Sequence, residues 1–122
     1  MDYLVIELFD KKTALSLRNS IYEDKDNWID GKSTAGGHAK KVKNNFQLKT
    51  DSKTYIDVTN KVVSTLNNNS VFKRYSIPKK IHSTLLSRAV VNQGYGMHWD
   101  NAYMNGGNRC DLAFTLFLED PN

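Results

Sequence analysis

The chain has 122 residues, 17 Lys and Arg against 13 Asp and Glu for a net charge of +4, and 39% hydrophobic residues. That length accommodates one domain, burying roughly two-thirds of the unfolded chain's surface. A charged fraction of 25% and an aromatic fraction of 11% exclude disordered and fibrous classes. No apolar run approaches the ~20 residues of a membrane span, so a membrane is not an expected partner. The single cysteine, Cys110, excludes a disulfide-stapled scaffold and fits a reducing compartment, with the cytoplasm as the expected location.

The first element is read as a strand over residues 2–9, whose core Tyr3-Leu-Val-Ile-Glu-Leu-Phe9 is interrupted by Glu7 and has no basic leader or cleavage site. Asp10 then offers an N-cap, and Ala14, Leu17 and Ile21 recur at helical spacing, predicting a helix over about 11–22. Residues 28–37 contain three glycines and no period, which predicts a loop. Asp51 or Ser52 caps a second predicted helix in which Tyr55, Val58, Val62 and Leu66 form one apolar stripe, ended by Asn67-Asn-Asn69. Ser70 caps a short turn through Tyr75, and Pro78 bars its continuation.

From Ile81 the texture becomes strand-like. Strands are predicted over 81–91, 95–103 and 110–118, with turns at Asn92-Gln-Gly94 and Asn105-Gly-Gly-Asn108. The expected order is therefore a helical half followed by an antiparallel half. Lysines 40, 41 and 43 form one basic cluster, and Lys73, Arg74, Lys79 and Lys80 another. No recognition helix or RNA-binding aromatic motif accompanies them, so they read as solvated surface and nucleic acid is not an expected partner.

The stretch Tyr95-Gly-Met-His-Trp-Asp-Asn101 is the richest in chemistry. On a strand, His98 and Asp100 project to one side about 6.5 Å apart, with Trp99 on the other. One imidazole and one carboxylate converging from one face make up two-thirds of a 2-His-1-carboxylate triad, the set that binds non-haem Fe(II) with open coordination positions. Alone, a His beside an Asp in a hairpin accounts for the pattern equally simply. Lys43, Asn45 and Gln47 alternate as polar residues would on approaching a pocket, or as a solvent face opposite Val42 and Phe46 would. His38 and His82 read as solvated or hydrogen-bonded rather than ligating, and Cys110 as a core thiol on the face of Leu112, Phe114, Leu116 and Leu118.

Three blocks bear on that choice: Trp28-Ile-Asp-Gly-Lys-Ser-Thr-Ala-Gly36 with Val42-Lys-Asn-Asn-Phe-Gln-Leu48, then Tyr95-Gly-Met-His-Trp-Asp-Asn-Ala102, then Arg109-Cys-Asp-Leu-Ala-Phe-Thr-Leu-Phe-Leu-Glu-Asp-Pro121. In this order they resemble the PKHD-type hydroxylases, iron(II)- and 2-oxoglutarate-dependent dioxygenases related to the prolyl hydroxylase α-subunits. The resemblance implies an α+β fold, with N-terminal helices packed on a double-stranded β-helix (jelly roll). It implies one domain over 1–122, with helical support over about 1–80 and the first core strands over about 81–122. It makes His98 and Asp100 the catalytic iron ligands. Tyr95 precedes them closely enough to sit at the same cavity, where its hydroxyl would meet the cosubstrate, or else it packs in the core; Lys43 and Asn45 would line the substrate entrance on the pocket reading of their alternation. The implied cofactors are Fe(II) and 2-oxoglutarate, with L-ascorbate as an auxiliary. The implied reactants are O2, 2-oxoglutarate and a peptidyl or small-molecule substrate, with succinate as a product.

The sequence departs from the family in several places. Family members are longer and take a second His and a cosubstrate-binding basic residue from strands beyond the Glu119-Asp-Pro turn. The chain is therefore expected to be an N-terminal portion lacking the third ligand, its jelly roll incomplete. Ala89 stands near a tyrosine of many relatives and Asn92 near a glycine. Homo-oligomerisation is open, since a half-built sheet invites pairing. The alternative reading is a non-catalytic truncated module that serves as a binding or assembly partner.

Overall fold

The computed structural model describes residues 3–31, 43–78, 80–88, 94–95, 103–104, 108–109 and 112–119, with the backbone alone described at 43–44, 94–95, 103–104 and 108–109. Within them the chain is α+β, with helices α1 (Lys11–Glu23), α2 (Lys53–Asn67) and α3 (Ser70–Ser76) and strands β1 (Trp28–Asp30), β2 (Lys43–Asn44), β3 (Phe46–Leu48), β4 (Ser87–Arg88), β5 (Gly94–Tyr95), β6 (Tyr103–Met104) and β7 (Asn108–Arg109).

Each helix starts where a side chain satisfies an otherwise unpaired backbone donor. The Thr13 N–H donates to Asp10 Oδ1 at 2.7 Å, the Tyr55 N–H to Ser52 Oγ at 3.1 Å, and the Phe72 N–H to Asn69 Oδ1 at 2.8 Å. Of the two expected caps for α2, Ser52 is the one used, and α3 takes Asn69 rather than Ser70. The end of α3 is set by Ile77, in the left-handed region at φ 45° and ψ 56° immediately before Pro78, with its N–H on the Lys73 carbonyl. A β-branched residue pays roughly 1–2 kcal/mol to sit there.

The apolar stripe of α2 is buried as its spacing predicts. Val58, Val62 and Leu66 join Ile21 of α1, Leu48 of β3 and Leu86 in one core, against which Leu17, Trp28, Tyr55, Phe72, Leu116 and Leu118 pack. Burying each aliphatic side chain contributes about 1.5–3 kcal/mol. The helices thus back a three-stranded antiparallel sheet of order β1-β3-β4, in the register Trp28↔Leu48, Asp30↔Phe46 and Phe46↔Arg88. Side-chain alternation puts Trp28, Phe46, Leu48 and Arg88 on the helix side and Ile29, Gln47 and Ser87 on the other.

Several expected strands are not present as such. Residues 3–9 and 112–118 join no sheet among the described residues. Their apolar character marks burial of a few side chains rather than pairing. Leu8 and Phe9 pack on the core, whereas Tyr3 and Val5 are 75% and 82% exposed. Likewise Leu116 and Leu118 pack inward while Leu112 and Phe114 are exposed, so over the described 112–118 the expected core face is realised only in its second half. The expected strand 81–91 contracts to Ser87–Arg88 among the described residues. In the expected loop 28–37, residues 28–30 instead form β1, because pairing with β3 supplies partners that a Gly-rich sequence does not advertise. The strands β6 and β7 pair antiparallel as Tyr103↔Arg109 and Met104↔Asn108, so Asn108 of the expected turn belongs to β7 and positions 105–107 lie outside the described residues. No helix of the described residues is long and apolar enough to cross a membrane.

Candidate active site

β2 and β3 are consecutive, separated only by Asn45, yet they belong to different sheets. β3 lies in the helix-backed sheet, whereas β2 pairs antiparallel with β5 in the register Lys43↔Tyr95 and Asn44↔Gly94. Two positions read from the sequence as cosubstrate and substrate contacts, Tyr95 and Lys43, therefore stand directly opposite each other. Three and five residues past Tyr95 come His98 and Asp100, which lie outside the described residues, as do His38, Trp99 and Cys110.

Asn45 sits where the strand changes sheets, and its surroundings are close-packed. The Gly31 N–H donates to the Asn45 carbonyl at 2.8 Å. Gly31 is buried, and a Cβ added to it would fall on Asn45 Oδ1 and come within 3.0 Å of the Asn45 carbonyl oxygen. Asn45 Oδ1 is itself buried and accepts no hydrogen bond from the described residues. Two residues on, Gln47 is only 1% exposed. Gln47 and the Asn45 amide oxygen are thus covered rather than turned to solvent, the other face that their alternation allowed. Beside Gln47 an open cleft of about 300 Å³ is lined by Ile29, Lys49, Thr50, Asp51 and Leu85.

On the helix side, the Arg88 guanidinium lies 4.6 Å from the centre of the Trp28 ring and 5.5 Å from that of Phe46. It thereby spans β4, β3 and β1, using ring faces where no hydrogen bond from the described residues reaches its Nε. The Trp28 ring is held from its other end, where its Nε1–H donates to the Asp24 carbonyl at 2.7 Å. Asn27 donates to both Asp24 carboxylate oxygens at 2.8 and 2.9 Å, closing the turn that leads into β1.

A second polar cluster joins the end of the described chain to α1. Glu119 Oε1 accepts from Arg18 at 3.2 Å and from the Tyr22 hydroxyl at 2.8 Å. The bond to a carboxylate pushes the Tyr22 phenol above its ordinary range. His82 is half-buried, and its buried Nδ1 has no hydrogen-bond partner among the described residues.

The whole chain aligns with proteins called PKHD-type hydroxylases. One from Prochlorococcus marinus strain MIT 9211 is 46% identical over 122 residues, all of this chain and 55% of the relative. Those from strains MIT 9303 and MIT 9313 are 46% and 44% identical over 121 residues, 99% of this chain and 54% of each relative. The chain belongs to the PKHD-type hydroxylase family. It spans about half the length of the curated relatives it matches. No family model matches it, and no solved structure does.

In this PKHD-type hydroxylase chain, three features escaped the sequence reading. Gly31 looked like one of several loop glycines, and only the pairing of β1 with β3 brings it against Asn45. The burial of Gln47 carried no signal, since alternating polar residues describe a wet face and a polar interior equally well. Arg88 was unremarkable in its segment; its ring partners lie 60 and 42 positions away in sequence.

Proposed function

We propose that the chain belongs to an iron(II)- and 2-oxoglutarate-dependent dioxygenase that hydroxylates a C–H bond of a peptidyl or small-molecule substrate. The alignment of the entire chain with a hydroxylase at 46% identity carries this reading. His98 and Asp100 are the proposed iron ligands. An imidazole and a carboxylate two residues apart suit Fe(II), and the described β2–β5 pairing includes Tyr95, three residues before the first of them. The metal with 2-oxoglutarate would supply the oxygen chemistry: one O2 is consumed, 2-oxoglutarate leaves as succinate and CO2, and the substrate gains a hydroxyl.

The protein's own contribution is to hold, orient and exclude water. Tyr95 is proposed at the cosubstrate, and Lys43 and Asn45 at the substrate entrance beside it; the backbone register sets Lys43 opposite Tyr95. L-ascorbate is the proposed auxiliary reductant that returns iron to the ferrous state. A jelly roll is the proposed complete architecture, and the cytoplasm the proposed location.

The test is succinate formation from 2-oxoglutarate by a chimera joining this chain to the unmatched remainder of the MIT 9211 relative, with Fe(II) and ascorbate. The reading predicts turnover that is lost in His98→Ala and Asp100→Ala while folding is retained. Turnover that survives both substitutions would refute the ligand assignment. Absence of turnover in a folded, iron-loaded chimera would favour a non-catalytic module.

A further inference from the structure

We propose that Gly31 and Asn45 form a positioning joint: a close-packed crossing that fixes where β2 leaves the helix-backed sheet, and with it the place of β5, whose Tyr95 precedes His98 by three residues in sequence. That Asp100 and His98 are ligands rests on the functional reading above; the joint itself rests on geometry.

A strand that serves two sheets must turn out of the first at a defined residue, and here that residue is Asn45, the single position between β2 and β3. Upstream of it, β2 has β5 as its ladder partner, held by two register pairs. Downstream, β3 is gripped on both sides, by β1 and β4, with Leu48 in the core and the Leu48 N–H on the Leu86 carbonyl at 2.9 Å. The direction in which β2 points is therefore set by the backbone at Asn45, and among the described residues Gly31 fastens that backbone. The Gly31 N–H holds the carbonyl at 2.8 Å.

Gly31 is required there for space. Its missing Cβ is the room that Asn45 Oδ1 occupies, and the Asn45 carbonyl lies within 3.0 Å of the same point. Any side chain at position 31 must first displace the Asn45 amide and then press on the carbonyl that the Gly31 N–H holds. The burial of Oδ1 without a hydrogen bond from the described residues shows the same fit from the other side: the amide is seated there by shape against Gly31. A ladder of two register pairs among the described residues follows such a displacement more readily than a strand with partners on both sides and a core anchor. Gly31 and Asn45 thus act on the ligand stretch through β2 and β5, as positioning residues.

Hydrogen exchange read residue by residue tests the joint without any metal. In Gly31→Ala, the amides of 43–44 and 94–95 are expected to exchange about tenfold faster, while those of α2 stay within about twofold of the parent. Adding Asn45→Ala in the same chain removes the side-chain clash and leaves only the contact with the carbonyl, so at least half of the lost protection should return on a logarithmic scale. A uniform rise across α2 and β3, an unchanged β2–β5 ladder, or a double variant no better than Gly31→Ala would overturn the joint. A parallel anaerobic Fe(II) titration of the chimera carrying the same substitutions separates the two ideas. Affinity should weaken about tenfold in Gly31→Ala and recover in the double variant. If iron binds none of the chains while the exchange pattern appears, the ligand reading fails and the joint stands.

Discussion

The helix-backed sheet and the β2–β5 ladder differ in how they are held. In the first, β3 has neighbours on both sides, Leu48 in a core with α1 and α2, and the Arg88 guanidinium spanning the strands on the faces of Trp28 and Phe46. In the second, two register pairs join β2 to β5, and the strand is steered by the close fit of Asn45 on Gly31. Stability is thus concentrated where sequence supplies apolar periodicity, and the candidate chemistry is carried by strands attached to that scaffold at a few points. Substitutions should therefore separate into those that unfold the chain and those that misplace the site.

The largest expected effect lies in the scaffold. Leu48→Ala removes a side chain that is 1% exposed at the centre of the core, and should cost about 2–5 kcal/mol in urea unfolding. If Leu48→Ala instead left stability unchanged, the division between scaffold and site would have no basis. Arg88→Met keeps much of the volume but removes the cation from between the rings, and should cost about 1 kcal/mol. A shift in the same titration with unchanged protection of 94–95 would sharpen the comparison.

Ile77→Gly acts in the opposite direction. It relieves a β-branched residue at φ 45° that is 83% exposed, and should stabilise by about 0.5–1 kcal/mol net of glycine's extra chain entropy. The smallest effect is at the Tyr22–Glu119 contact. Tyr22→Phe should cost about 0.5–1 kcal/mol at neutral pH, the worth of one hydrogen bond. Because the folded chain raises the Tyr22 pKa, this contribution is present below the ordinary tyrosine value of about 10 and is lost as pH rises through the raised one. Parent and Tyr22→Phe stabilities should therefore converge above that range, with the convergence read in thermal melts.

The helices were legible because their signals are local. Asp10 and Ser52 announce the starts of α1 and α2, Val58, Val62 and Leu66 mark a buried stripe, and Pro78 closes α3. The β half was less so, because apolar alternation at 3–9 and 112–118 reports which side chains pack and says nothing of a partner strand. β1 was missed for the converse reason: its pairing to β3 depends on a neighbour 16 to 20 residues away and not on its own composition. At the site, the motif pointed to Lys43, Asn45 and Tyr95, and the register of β2 on β5 brings the first and last of these positions together. Gly31 and Gln47 took their meaning only from three-dimensional packing, which one strand's pattern does not encode.

The measurement that bears most directly on the central claim is anaerobic Fe(II) titration with 2-oxoglutarate, following the weak visible charge-transfer band between metal and cosubstrate. It is made on the chimera and on its His98→Ala and Asp100→Ala variants, with circular dichroism confirming the fold of each. The account predicts a saturable band in the parent that disappears in both variants while α1 and α2 keep their helical signal. A band that persists unchanged without His98 and Asp100 would contradict it.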